Sequence, residues 1–129
     1  MSNYAIKNLM EVEESAPDSA VEARFSRKHL DSTELGVSYF HYPPNHRSTN
    51  GHSHEVQEEA YVVLGGSGWI KLDDEAIELH KWDVVRVSPP VVRAFDAGPE
   101  GLEVIAVGGS KPEGGDGVRV PDRWPAEGE

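Results

Sequence analysis

The sequence predicts an all-β fold, a single domain built as an antiparallel sandwich or barrel. Short apolar runs with alternating wet and dry positions recur along the chain, and no long amphipathic helix period interrupts them. Thirteen glycines and nine prolines in 129 residues supply the many turns that such short strands need. A chain of this length holds one core and not two.

Residues 1–20 are acidic and weakly patterned. Ile6, Leu9, Met10 and Val12 suit either a short helical turn or an added edge strand. The barrel is expected over residues 21–108. Val21 to Arg27 alternates like a strand with one wet face, and Leu35 to Tyr42 is a second, stopped by Pro43-Pro44-Asn45. Residues 45–51 form a polar loop into the next strand, which carries His52 and His54. Ala60 to Leu64 then predicts a strand, Gly65-Gly66 a hairpin turn, and Trp69 to Leu72 its return. Asp73-Asp74 predicts a further turn before Ala76, Ile77 and Leu79. Asp83 to Val87, Val91 to Phe95 and Leu102 to Val107 complete the set, with turns at Pro89-Pro90 and Ala97-Gly98-Pro99. Residues 109–129, rich in Gly, Pro and charge, read as a mobile tail. Its one large apolar anchor, Trp124, is expected to dock on the barrel or on a partner subunit.

Composition narrows the function. Hydrophobic residues at 37% and charged residues at 27% suit a soluble globular protein. A net charge of −11 argues against nucleic acid or an anionic membrane as partner, because both need a basic surface. With no cysteine there is no disulfide, thiolate site or cysteine nucleophile. No leader pattern and no membrane-length apolar run are visible, so the expected location is cytoplasmic.

Chemistry concentrates in Gly51-His52-Ser53-His54-Glu55-Val56-Gln57-Glu58-Glu59. Histidines two apart on an extended chain project to the same side. With a nearby carboxylate, two imidazoles can hold a divalent transition metal and leave positions open for substrate. Simple alternation from His54 favours Glu58 as that carboxylate.

These residues resemble the first motif of the cupin superfamily of small β-barrels: His-x-His, three or four residues, Glu, six residues, Gly. It fits as His52, His54, Glu59 and Gly66, while His46 stands where the motif has an earlier glycine. The stretch from Trp82 to Phe95 resembles the second motif. There Trp82 replaces a glycine, Pro90 falls near the turn glycine, and Arg93 occupies the place of the fourth ligand, a histidine. The resemblance covers roughly residues 35–108 and implies a jelly roll, a small homodimer, and a divalent metal (Zn, Fe, Mn, Ni or Cu) on His52, His54 and Glu59. Glu58 then reads as a solvated charge, with Gln57 and Glu58 held as supporting or replacement ligands.

Arg93 admits three arrangements, in order of preference. It flanks a three-ligand metal and binds the carboxylate of an anionic ligand; it pairs with Glu59 and fills the site; or it faces solvent. At about 5 Å and an effective dielectric of about 20, a guanidinium and a divalent ion repel by about 6–7 kcal/mol. His41 and His46 are candidates to replace the missing ligand, whereas His29 and His80 read as surface. Tyr39, Tyr61 and Phe95, core residues by default, are the aromatics expected beside Arg93 around a bound ligand. The Gly65–Gly68 cluster is better explained by a turn than by phosphate binding, and the acidic residues fit no calcium loop. The expected function is binding or conversion of a small anionic molecule, an organic acid or a sugar derivative. The resemblance allows dioxygenase, isomerase, epimerase or decarboxylase chemistry. The alternatives are a metal-free binding or regulatory module, and a barrel closed by an Arg93–Glu59 pair.

Overall fold

The computed structural model describes residues 3–112, 114–121 and 123–124. Their strands are β1 (Glu22–Phe25), β2 (Gly36–Tyr42), β3 (Gly51–His54), β4 (Glu59–Leu72), β5 (Glu75–Leu79), β6 (Val84–Val87), β7 (Arg93–Gly108) and β8 (Gly117–Val120). Every pairing is antiparallel. Among the described residues the sole helical element is one 3-10 turn, Leu9–Glu11, and no helix is long and apolar enough to cross a membrane.

Two long strands organise the rest. β4 and β7 pair from Glu59↔Gly108 to Leu72↔Arg93. β4 also pairs with β6 through its first residues and with β5 through its last. β7 pairs with β3 at Arg93 and with β2 along its second half. Each long strand thus changes neighbours midway, the device by which a strand turns the corner between two packed sheets.

This corrects two of the expected turns. Gly65-Gly66 is no hairpin tip, for β4 runs through it; nor does Ala97-Gly98-Pro99 reverse the chain, since it lies inside β7. The glycines mark register shifts instead, between Val63 and Gly65 and between Gly66 and Gly68. Gly66 has φ of 82°, and a Cβ on it would collide with the carbonyl oxygen of Gly101, itself at φ 77°. Glycine here lets two backbones approach and bend together. The turn expected at Asp73-Asp74 does form, between β4 and β5.

The core follows the alternation. Tyr61, Val63, Ile70, Leu79, Val87, Leu102 and Val104 are buried, and Phe95 packs its ring 5.3 Å from Tyr42 and 5.2 Å from Tyr61. Trp69 and Ile77 point outward. The N-terminal segment places a short turn and an edge contact side by side: Val12 is buried, and Glu14 bridges to Arg24 on β1.

The C-terminal segment departs from the expected mobile tail. After a turn at Gly114 and Gly115, both at positive φ, β8 pairs with β3 along Gly51↔Val120 to His54↔Gly117. Trp124 docks on the barrel, its ring 5.2 Å from the Arg47 guanidinium and 5.6 Å from the Lys71 ammonium. Four alternating residues are too short a run to announce a strand; the unpaired edge of β3 selects it.

Gly66→Ala is the sharpest test of the bend. Left-handed backbone costs a non-glycine residue about 1–2 kcal/mol, and the collision with Gly101 adds to that. We expect a loss above about 2 kcal/mol in urea unfolding; an unchanged midpoint would mean that the bend tolerates a side chain.

Candidate metal centre

β3 sets His52 and His54 on one face. The chain then leaves the sheet at Glu55 and Val56 and re-enters it at Glu59, the first residue of β4. That interruption resets the alternation, so Glu59 shares the side of the histidines although its odd offset from His54, with four residues between, would put it on the other face of an unbroken strand. Glu58 turns outward, where its carboxylate lies 3.2 Å from Arg86. Gln57 is buried, and its amide donates to the Gly109 carbonyl.

The ligand atoms of His52, His54 and Glu59 lie within 4.8 Å of one another. Glu59 Oε1 is 3.2 Å from His54 Nε2 and 3.6 Å from His52 Nε2, and it accepts a hydrogen bond from the Tyr61 hydroxyl at 2.7 Å. Burial alone would raise the Glu59 carboxyl, but the His52 and Tyr61 contacts and the neighbouring His54 outweigh it and hold it at about 2. Burial and the Glu59 carboxylate together push the Tyr61 phenol well above its ordinary range.

His54 shows that these residues fit a metal ion. Its Nδ1 lies 2.8 Å from Asp116 Oδ1. Its Nε2 is buried and has no hydrogen-bond partner among the described residues. An imidazole held through one nitrogen by a carboxylate, with the other nitrogen bare and directed at further ligands, is the usual state of a metal-binding histidine. Asp116 is buried, and its Oδ2 also accepts the backbone N–H groups of Val56 (2.7 Å) and Gln57 (2.8 Å). Burial opposes its ionisation, yet His54 and the two N–H groups hold it well below the usual carboxylate range.

A cavity of about 690 Å³ opens over these groups. His52, His54, Gln57 and Glu59 line it, Phe25 and Phe40 form apolar wall, and Arg27, Lys28 and Lys111 bring positive charge against the carboxylate of Asp31. The Arg27 guanidinium is tied to the carbonyls of Glu34 and Gly109, whereas Lys28 and Lys111 are exposed.

The remaining expected site residues are placed unequally. Tyr61 reaches the trio through Glu59. Phe95 lies in the core between Tyr42 and Tyr61. Tyr39 falls on the opposite face of β2 from Ser38 and Phe40, which line the cavity; its hydroxyl donates to Glu103. His41 shares that outer face, opposite Glu103, and His46 packs 6.3 Å from the Tyr42 ring. Among the described residues neither histidine joins the trio.

Arg93 is fully buried, which removes the solvent-facing arrangement. It forms no ion pair with Glu59 among the described residues, and it is not one of the side chains lining the cavity. It sits cross-strand from His52, with Nη2 3.3–3.4 Å from the carbonyls of Val87 and Ser88. Nε and Nη1 have no partner among the described residues. Sequence reasoning missed Asp116, Lys28 and Lys111. None of the three left a signal in the sequence, since the four residues of β8 that follow Asp116 are too short a run to announce a strand.

No protein-family model matches the chain, and no curated protein matches it by sequence. Solved structures do. A cupin protein from Bacteroides fragilis is 26% identical, with 85% of this chain and 86% of that one covered and a TM-score of 0.71. Pac13 of Streptomyces, described as a unique nucleoside dehydratase, is 15% identical over 98% and 97% of the two chains, with a TM-score of 0.75. KdgF from Halomonas sp. is 14% identical over 85% and 96%, with a TM-score of 0.70. At their identities the last two show a shared fold and nothing finer. The strand architecture, these neighbours and the His-x-His, Glu motif together make this chain a jelly-roll barrel of the cupin superfamily.

Proposed function

We propose that this chain is a metal-dependent cupin that takes a small anionic molecule, an organic acid or a sugar derivative, into the barrel cavity. The observation that carries the metal is the bare, buried Nε2 of His54 beside Glu59 and His52. These three residues would hold the ion. When bound, it would act as a Lewis acid on a ligand oxygen or as an oxygen-activating centre. Imidazole and carboxylate donors suit Zn, Fe, Mn, Ni and Cu alike.

The chain's own groups support the ligand class. The cavity's size falls within the range of small-molecule sites, about 300–1,000 Å³. In a chain of net charge −11, the cations Arg27, Lys28 and Lys111 at its lining outnumber the carboxylates of Asp31 and Glu59, which supports a locally positive field. This moves the anion-binding role from Arg93, where the sequence put it, toward the two lysines. Tyr61 would orient Glu59, and Phe25 and Phe40 would pack against the ligand's carbon frame. A variant of Pac13 was solved with uridine, which supports the capacity of this barrel fold for a sugar-bearing molecule. The homodimer implied by the resemblance belongs to the same proposal, with Trp82 and Val84, each about two-thirds exposed, as apolar surface for it.

One observation favours a second reading. Glu59 Oε1 already has Tyr61 and His54 as neighbours, so the trio is a coherent polar network without an ion. The chain would then be a metal-free binding module. Closure by an Arg93–Glu59 pair has no such support.

Elemental analysis of protein purified without chelator or a metal-affinity tag separates the two readings. The metal reading expects about one divalent ion per chain, lost from the His52→Ala/His54→Ala double variant while the circular dichroism stays unchanged. Stoichiometric metal in the double variant would remove the assignment, and a wild type that refuses reconstitution would select the binding module. Lys28→Ala/Lys111→Ala should weaken carboxylate ligands about tenfold, or about 1.4 kcal/mol, in a thermal-shift panel and leave neutral sugars alone. Equal losses for both would argue against charge recognition. Arg93→Met removes a buried cation next to His52 and should tighten Zn²⁺ binding at least about tenfold; unchanged affinity would show that the guanidinium is too distant to matter.

A further inference from the structure

Asp116 is not among the residues that line the cavity, yet it makes three polar contacts to the chain that carries the trio, at His54, Val56 and Gln57. Its Oδ2 accepts two backbone N–H groups, from Val56 and Gln57. Two backbone N–H donors stabilise the ionised carboxylate, which only accepts, at both of its oxygens. Its Oδ1, 2.8 Å from His54 Nδ1, therefore leaves that nitrogen one role, to donate. We infer that Asp116 is a positioning residue which fixes His54 in the tautomer with its proton on Nδ1, so that the Nε2 lone pair faces Glu59 and His52.

The inference rests on the metal-centre reading for its functional consequence only; the tautomer itself is a property of the chain without metal. Neighbouring bonds hold the arrangement in register. β8 starts at Gly117 with its cross-strand partner His54, so Asp116 is delivered directly beside the imidazole. Gln57 donates to Gly109, and Gly109 N–H donates to Glu58, which closes the loop against the same segment. Further on, Arg123 N–H donates to Thr49, and Lys71 donates to the Arg123 carbonyl.

Asp116→Asn tests this with almost no change of shape. The amide oxygen would stay with the Val56 and Gln57 N–H groups, and the NH₂ would turn toward His54 Nδ1. That nitrogen must then accept, the proton moves to Nε2, and it points at the position a metal would take.

The measurement is long-range ¹H–¹⁵N correlation on metal-free protein with ¹⁵N-labelled histidine, at about pH 8 and again at about pH 9, where the same pattern at both identifies the tautomer. Wild type is expected to show the Nδ1–H pattern for His54 and Asp116→Asn the Nε2–H pattern, with His52 as an unchanged internal reference. Zn²⁺ affinity of the variant should fall about 10–100-fold. An Nε2–H pattern in wild type, or Nδ1–H retained in the variant, would overturn the inference. Should the variant fail to fold, the wild-type spectrum decides alone. Nδ1–H in a wild type that takes up no Zn²⁺ would support the positioning role of Asp116 and end the metal-centre reading.

Discussion

The continuous pairing of β4 with β7 is the constraint on which the rest of the barrel depends. A straight strand of the 14 residues in β4 would hold its ends about 43 Å apart at 3.3 Å per residue. Glu59 stands at one end of this ladder, opposite Gly108; Arg93 stands at the other, opposite Leu72, and there β7 takes His52 as its neighbour. Yet His52 and Glu59 approach to 3.6 Å. The ladder has curled until its ends meet, and the candidate centre lies on the seam. The bends at Gly66 and Gly101 therefore shape the candidate site as much as its own residues do, although neither glycine lines the cavity.

On the proposed reading, charge couples the ion to its ligand. His52 and His54 are neutral when they bind metal, and Glu59 brings one negative charge. The permanently charged Arg93 beside His52 cancels it. A divalent ion here would keep nearly its full charge, where an added carboxylate ligand would have reduced it. An anionic molecule arriving past Lys28 and Lys111 completes the neutralisation, so ion and anion should each strengthen the binding of the other. The substitution at Arg93 thus shifts part of the ligand set from the protein to the guest.

Much of this was legible in the sequence because it is local. The short alternating runs announced an all-β domain, and His52, His54 and Glu59 fall within eight residues, so one strand and one bend bring them together. What failed to show needed tertiary contacts or a finer distinction. Gly65-Gly66 and Gly98 carry the same signal whether a strand reverses or bends, because both need a backbone without a Cβ. Tyr39 and Phe40 differ by one position of alternation, and that parity decides which of them reaches the cavity. Asp116 meets His54 across 62 residues, and Lys28 and Lys111 belong to segments that converge only once the barrel has curled.

The β3–β8 pairing has a kinetic side. Each of its contacts closes a loop of more than sixty residues, and the β4–β7 ladder it leans on is itself built from distant partners. Loop-closure entropy must be met before such contacts return any stabilisation. Topologies dominated by them fold in milliseconds to seconds, with local hairpins such as β4–β5 available much sooner. His54 consequently acquires its carboxylate partner late, after the sheet has assembled around it. On the metal-centre reading, the His-x-His segment would until then be an ordinary weak chelator, and a newly made chain would be spared from gripping whatever ion it meets first.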